Sequence, residues 1–182
     1  MYLSIEYLDR HAQSDSPNSV LFDITANTAT LGRSACDGPG LVWRWGAEPA
    51  EGALLACEVT LDTSTDWIVR CDRVDFPPEG IAYRHTHPGP GIRCTLFGGL
   101  TIEAEGHAQR YGPLEPWFEA GPEPVLARAD PEQPSAFARV MLLPAEWKGK
   151  RTITYVDPAD ESRPKLQRPT VFFDQPLSQV TG

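Results

Sequence analysis

Short apolar or alternating runs, separated by proline and glycine, are the feature that most limits what this chain can fold into. The 182 residues include 18 prolines and 15 glycines, most of which fall between the runs. Many runs alternate apolar and polar residues with period two, and no stretch keeps a helical period for long. This pattern predicts an all-β sandwich or barrel. The candidate strands are LVWRW (41–45), ALLACEVTLD (53–62), WIVRCDRVDF (67–76), IAYRHTH (81–87), IRCTLFG (92–98), LTIEAEG (100–106), PWFEA (116–120), VLARAD (125–130) and FARVMLLP (137–144).

The runs divide the chain into three zones. Residues 1–40 are mixed and polar, end in CDGPG, and are predicted to form an N-terminal arm; their first nine residues, MYLSIEYLD, are the best helix candidate. Residues 41–144 carry the strands and are predicted to form the barrel. Residues 145–182 are too rich in proline for a helix, so we expect an extended C-terminal arm that packs on the barrel or on a partner subunit.

Composition narrows the classes of function. The formal net charge of −9 opposes binding to phosphate backbones and anionic lipids, so neither a nucleic-acid nor a membrane partner is expected. Eighteen consecutive apolar residues are not found, and the start of the chain lacks a secretory pattern, so the expected location is the cytoplasm. The four cysteines are widely spaced without a CxxC pair, which favours buried thiols.

Two histidines two residues apart stand out in GIAYRHTHPGPGIRCTLFGGL, residues 80–100. Alternate residues of a strand face the same side, so His85 and His87 are predicted to point together into the barrel. The same alternation carries Tyr83 inward. The Pro/Gly turn after the pair then returns the chain, so that Arg93 is predicted to face the same cavity from the next strand.

This segment resembles the first sequence motif of the cupin superfamily, in which a glycine precedes a His-x-His pair and a second glycine closes the following strand. Gly80, His85, His87 and Gly98 match those positions. The resemblance covers about residues 65–144. It implies a cupin-type double-stranded β-helix, a small jelly-roll barrel whose mouth holds the site.

The chain departs from the family at two of its four metal ligands. Gly91 stands where the family has a ligand glutamate, and Pro124 stands where the second motif has a ligand histidine. Glu119 occupies a position where proline is common in the family. A complete four-ligand metal site therefore cannot be carried over to this chain.

The histidine pair leaves two interpretations open: ligands of a metal, or hydrogen-bonding residues of the barrel mouth without one. Glu119 is the best substitute third ligand, because two histidines and one carboxylate can hold iron or another divalent metal with open positions. His107 is a poorer candidate, since it lies at a predicted hairpin tip. The cofactor expected under the first interpretation is a divalent transition metal such as Fe, Mn, Ni or Zn, and no organic cofactor is indicated.

The catalytic candidates are His85, His87, Arg93 and Tyr83. Arg93 can clamp a substrate carboxylate through its two-pronged guanidinium or form a salt bridge with Glu119 or another carboxylate, and the sequence does not choose between these roles. For Tyr83, a position in the core or at the rim of the barrel is the alternative to a catalytic role.

These residues favour an enzyme that acts on a small oxygenated or carboxylate-bearing molecule, through a metal or through acid–base catalysis. The alternative is a barrel that only binds a ligand or has a structural role. We also expect a homodimer, because the terminal arms are long and Trp43 and Trp45 share one face of their strand, as aromatic anchors of an interface do.

Overall fold

The computed structural model describes residues 1–177, and almost all of its regular structure is β-strand. Two short 3₁₀ helices, Ala145–Trp147 and Pro158–Ser162, lie near its C-terminal end. The strands are β1 (Tyr2–Leu8), β2 (Gln13–Ser14), β3 (Ser19–Asp23), β4 (Thr28–Leu31), β5 (Ser34–Ala35), β6 (Gly40–Gly46), β7 (Leu55–Glu58), β8 (Trp67–Phe76), β9 (Ile81–Thr86), β10 (Gly91–Phe97), β11 (Leu100–Ala104), β12 (His107–Tyr111), β13 (Pro116–Glu119), β14 (Val125–Ala129), β15 (Ser135–Pro144), β16 (Thr154–Tyr155) and β17 (Arg168–Pro176).

Strands β8 to β15 form two facing antiparallel sheets. One has the order β13-β10-β15-β8 and is extended by β17, and the other has the order β12-β11-β14-β9 and is extended by β16. Consecutive strands of this unit alternate between the sheets except at the β11–β12 hairpin, which is the jelly-roll connection pattern. The predicted all-β, cupin-type double-stranded β-helix is therefore confirmed.

The N-terminal region is a sheet rather than an arm. Its order is β4-β3-β6-β1-β7, so β6, which was expected to be the first barrel strand, pairs with β1 and β3 instead. The predicted boundary at residue 41 consequently does not match the structure. The proposed N-terminal helix was also wrong: residues 2–8 are β1, because Leu3 and Ile5 alternate onto a fully buried face.

This N-terminal sheet packs on the outer face of the first barrel sheet. Strand β15 is buried on both faces as a result: Val140 joins the core shared with the N-terminal sheet, while Phe137 faces the barrel interior. The indole Nε1 of Trp43 donates a hydrogen bond to the carbonyl of Ile92 at 3.1 Å and so ties the two layers together.

The burial of Trp43 and Trp45 removes one argument for a homodimer. Their side chains are 0% and 3% exposed within a single chain, so neither can serve as an exposed interface anchor. The homodimer itself stays a prediction.

Within residues 1–177, no helix is long and apolar enough to cross a membrane.

The C-terminal segment returns to the barrel. Strand β17 pairs along β8 from Arg168–Asp75 to Pro176–Ile68, and β16 pairs with β9 at His85 and Thr86. The predicted C-terminal arm extends to residue 182, and its last five residues lie outside the described part of the chain. All four cysteines are free thiols, and Cys71 and Cys94 are buried.

Candidate functional site

A cavity of about 340 Å³ lies between the two barrel sheets and is polar at one end and apolar at the other. Along β8 its lining changes from Arg70 and Asp72 to Val74 and Phe76, and along β15 it changes from Arg139 to Phe137. The apolar lining consists of Val74, Phe76, Ala82, Ile102, Trp117, Val125, Ala127, Phe137, Ile153, Pro169 and Val171. The polar and charged lining residues are Arg70, Asp72, His85, His87, Glu119, Arg139, Lys150, Arg151, Thr152, Gln167 and Asp174.

A β-bulge in β9 decides which of its side chains enter the cavity. Val125 of β14 pairs with His85, and Ala127 pairs with Ala82. Between these two pairs the chain advances by three residues along β9 but by only two along β14. The extra residue shifts the alternation, and the cavity receives Ala82, His85 and His87. The prediction that Tyr83 points inward was wrong for this reason: its ring lies outside the lining, under the guanidinium of Arg163 at 4.8 Å.

His85 and His87 meet through their Nε2 atoms, which are 3.2 Å apart. The Nδ1 atom of His85 lies 2.6 Å from the carbonyl oxygen of Tyr83, and that of His87 lies 3.1 Å from the carbonyl oxygen of Thr152. Because a carbonyl only accepts hydrogen bonds, both Nδ1 atoms carry the ring proton. In the neutral form, each Nε2 atom therefore presents a lone pair to the other.

Burial keeps this pair neutral. The two side chains are almost completely buried, and desolvation lowers the pKa of His85 below its ordinary value and that of His87 well below it. The positive charge of Arg139 lowers the pKa of His87 further. Both imidazoles are consequently available as acceptors at neutral pH.

Arg93 does not line the cavity. It is fully buried and lies behind Glu119, with Nη2 2.7 Å from Oε2 of that carboxylate and Nη1 donating to the carbonyl of Gly91 at 2.6 Å. Of the two roles left open for Arg93, the geometry supports the ion pair with Glu119. The convergence of Arg93 with the histidines on one cavity was predicted incorrectly, because Glu119 occupies the space in front of it.

Glu119 lines the cavity and is held by Trp117 at one carboxylate oxygen and by Arg93 at the other. Its Oε1 accepts a hydrogen bond from the indole of Trp117 at 2.8 Å, and its Oε2 lies 3.6 Å from Nε2 of His87. The contact between Oε2 and Arg93 is close in distance but off the hydrogen-bond angle, so it acts mainly as a charge–charge contact.

Arg139 and Asp72 belong to the site, although no motif of the sequence singles them out. Nε and Nη2 of Arg139 donate to the two carboxylate oxygens of Asp72 at 2.6 and 3.0 Å, and both residues are buried. Nη1 of Arg139 is turned toward the histidines, 3.5 Å from Nε2 of His87. An arginine within the apolar run FARVMLLP was the available signal, because an arginine buried in a strand needs a partner.

The strap, defined here as residues 149–153, covers the polar end of the cavity. Arg70 holds it in place by donating to the carbonyl of Lys150 at 2.8 Å and forming a two-pronged salt bridge with Asp174 of β17 at 2.5 and 2.6 Å. The amide of Gly149 donates to the same Asp174 carboxylate at 2.7 Å. The strap therefore connects β8, β17 and, through Thr152, the ring of His87.

The donor atoms fit a divalent metal only in part. The separation of the two Nε2 atoms suits two ligands of one ion with bonds of about 2.0–2.1 Å, and backbone carbonyls orient both rings as they do around many metals. However, within residues 1–177 no group of three or more His, Cys, Asp or Glu side chains is arranged to hold a metal. The predicted third ligand, Glu119, is instead engaged by Arg93.

The strand order defines a cupin-type jelly-roll barrel, and a buried polar cluster lines its internal cavity. No family model matches the sequence, and no curated protein is similar to it in sequence. Three solved structures have a similar backbone. The polyketide cyclase RemF from Streptomyces resistomycificus is 20% identical over 58% of this chain and 74% of that chain, with a TM-score of 0.41, and TT1209 from Thermus thermophilus is 17% identical over 48% of this chain and 82% of that chain, with a TM-score of 0.37. A salicylate 1,2-dioxygenase from Pseudaminobacter salicylatoxidans is 9% identical over 93% of this chain and 74% of that chain, with a TM-score of 0.48. These similarities are weak, so the chemistry of the site rests on its own geometry.

Proposed function

We propose that this protein is an enzyme that removes a proton from a small molecule with an acidic C–H bond next to a carbonyl, and that His85 is the base. One observation carries the proposal: the Nε2 atoms of His85 and His87 face each other across 3.2 Å while both Nδ1 atoms are bound to backbone carbonyls. While both rings are neutral, two lone pairs directed at one point leave the pair free to accept a proton.

His85 is the better base of the two. Nε2 of His87 already has a donor nearby, Nη1 of Arg139 at 3.5 Å, and the arginine charge opposes protonation of that ring. His85 is also the easier ring to protonate, since its pKa is lowered less. Positioned bases of this kind contribute about 10²–10⁴-fold to proton transfer.

Arg139 is suited to the negative charge that develops on the carbonyl oxygen. Its Nε and Nη2 are occupied by Asp72, which fixes the guanidinium plane and leaves Nη1 directed toward the histidines. The proton moves from carbon to Nε2 of His85, the C–H electron pair becomes the enolate, and its oxygen accepts a hydrogen bond from Nη1. A preorganised donor of this kind stabilises an oxyanion more than water does.

Deuterium exchange tests the proposal without knowledge of the natural reaction. Small aryl ketones such as phenylacetone and β-tetralone would be incubated with the protein in D₂O, and loss of the α-proton signal followed by NMR. We expect exchange that falls by about 100-fold or more in His85→Ala and stays unchanged in His107→Ala, whose histidine is exposed on β12. Exchange that is equal in all three proteins would overturn the assignment.

A divalent metal held by the same pair is the second candidate, favoured by the Nε2 separation. His85 and His87 would hold it, and the ion would polarise a carbonyl as a Lewis acid. Dialysis against a chelator separates the two candidates: exchange that persists supports the histidine base, and exchange that is lost and returns with added Zn²⁺ or Mn²⁺ supports the metal. Ketone binding without any exchange would support the ligand-binding alternative.

A further inference from the structure

The charged side chains around the cavity occur as opposite pairs. Arg139 faces Asp72, and Arg70 faces Asp174, each through two hydrogen bonds. Glu119, the remaining acid of the lining, faces Arg93 behind it at 2.7 Å. Each of these three ion pairs is buried, so their charges are neutralised by each other rather than by water.

The remaining cationic residues of the lining belong to the strap and are exposed. Arg151 pairs with Glu161 at the surface, and Lys150 is open to solvent, where water and salt screen its charge. The two histidines add no charge in this arrangement, because both Nδ1 atoms face carbonyl oxygens and the two Nε2 atoms face each other at 3.2 Å, which leaves no room for a proton on both. The polar end of the cavity is therefore crowded with charges but close to neutral in sum.

A carboxylate that entered this space would find every buried cation already matched. It would lose its hydration and gain no free counter-ion, and an unpaired buried charge is strongly unfavourable. A neutral oxygen has no such cost, since Nε2 of His85 can accept its proton and Nη1 of Arg139 can donate to it.

The apolar end of the cavity indicates the body of such a molecule. Phe76 and Phe137 have ring centroids 6.2 Å apart, and Trp117 meets Phe137 edge-on at 5.3 Å. Aromatic walls of this kind favour a flat ring, which can stack or meet them edge to face. A cavity of about 340 Å³ is within the usual size for a small organic ligand.

We infer that the cavity selects uncharged aromatic molecules that carry a hydroxyl or carbonyl group at one end, and that it excludes the corresponding carboxylates. This inference rests on the proposed function, in which neutral His85 removes a proton from carbon. Such a base needs a substrate that enters the cavity uncharged and still carries that proton. The resulting enolate and imidazolium then form a further ion pair, which leaves the net charge of the cavity unchanged.

Equilibrium binding of a matched pair of fluorescent probes tests the inference. β-Naphthol is neutral at neutral pH, whereas β-naphthoate is a carboxylate of the same ring system. By fluorescence titration or calorimetry, we expect the wild-type protein to bind β-naphthol at least about tenfold more tightly than β-naphthoate. Equal affinities, tighter binding of β-naphthoate, or binding of neither probe would overturn the inference.

Removal of one acid from a buried pair should weaken this preference. Asp72→Asn leaves Arg139 unmatched, and Asp174→Asn does the same for Arg70, so each is expected to shift the affinity ratio toward β-naphthoate by about tenfold. Glu103→Gln is the control, because it removes an equal charge from the outer surface of β11 and should leave the ratio unchanged. If Asp72→Asn does not fold, Asp174→Asn carries the test, and an unchanged ratio in a folded variant contradicts the inference.

The outcomes separate this inference from the proposed function. Selective binding of β-naphthol without deuterium exchange in the ketones would retain the inference and reject the enzyme. Deuterium exchange catalysed by a protein that prefers β-naphthoate would retain the enzyme and reject the inference.

Discussion

The carbonyl oxygen of Thr152 accepts the Nδ1 proton of His87 at 3.1 Å, although 65 residues separate them in the chain. This hydrogen bond passes from the strap to the floor of the cavity and sets which ring nitrogen of His87 carries the proton. The strap therefore has two roles in one structure: it closes the polar end of the cavity and directs the lone pair of His87 at His85.

Loosening the strap should be visible without any substrate. Asp174→Asn removes the negative charge that pairs with Arg70 and replaces one of the two carboxylate oxygens by an amide nitrogen. The hydrogen bond from the amide of Gly149 is weakened as well. We expect faster amide hydrogen exchange in a peptide that covers residues 147–153, measured by mass spectrometry. Asp130→Asn, which disturbs a pair with the exposed Arg110, is the control and should leave that peptide unchanged.

The buried pair of Asp72 and Arg139 should reveal itself through a single and a double substitution. Asp72→Leu leaves the guanidinium of Arg139 buried without its partner, which should lower the free energy of unfolding by about 3–5 kcal/mol. The double variant Asp72→Leu/Arg139→Met removes both charges and should recover most of that loss in urea unfolding. A double variant as unstable as the single one would contradict the assignment of the cost to the unpaired charge.

Acid should destabilise the protein through its two buried histidines. Because burial lowers the pKa of His85 and His87 in the folded state, the unfolded chain binds protons first as the pH falls. The stability they confer is complete above their unfolded pKa of about 6.5 and is lost progressively below it. Between about pH 7.5 and 5.5, we expect the free energy of unfolding to fall by up to about 1.4 kcal/mol for each histidine. The free energy of unfolding should fall less in the double variant His85→Gln/His87→Gln, measured in urea over the same pH range. The difference from the wild type would separate the contribution of the two histidines from that of the carboxylates.

Tyr83 should be dispensable for proton transfer. The bulge in β9 turns its ring away from the cavity, and only its backbone carbonyl takes part, as the acceptor for His85. Tyr83→Phe preserves that carbonyl, so the deuterium exchange rate should match that of the wild type. A large loss of exchange in this variant would place the hydroxyl in the site and contradict the bulged register.

Gly91, which stands where the cupin motif that this segment resembles has a glutamate, should not tolerate a side chain. A Cβ atom at this position would lie 2.5 Å from the carbonyl oxygen of Val140 and 2.8 Å from Cγ of Met141 on β15. Gly91→Ala should therefore lower the free energy of unfolding by about 1–3 kcal/mol in urea unfolding. Gly46→Ala, at the end of β6 with its nearest neighbour at 3.7 Å, is the matched control and should cost much less. Equal stabilities would show that β15 can move aside.

The alternation within the runs and the turn residues between them were sufficient to predict an all-β barrel. They also predicted that His85 and His87 share one face, because that inference needs only the two-residue period of a strand. Nothing local in the sequence marks the bulge that excludes Tyr83, since an extra residue becomes visible only when β9 is paired with β14. Similarly, the alternation of LVWRW identified a strand correctly, but its partners β1 and β3 were set by how the N-terminal sheet covers the barrel.

The sequence alone identified the histidine pair as candidates for chemistry, and the tertiary structure decided which charged residues meet that pair. Arg93 and Arg139 both lie on barrel strands and even pair with each other in register, yet one is held behind Glu119 and the other is held at the cavity by Asp72. The choice depends on which carboxylate each guanidinium reaches from a neighbouring strand, and the contact between Arg139 and Asp72 joins residues 67 positions apart in the chain. A local pattern sets the direction of a side chain, but the charge that it meets there is fixed only when the strands have been brought together.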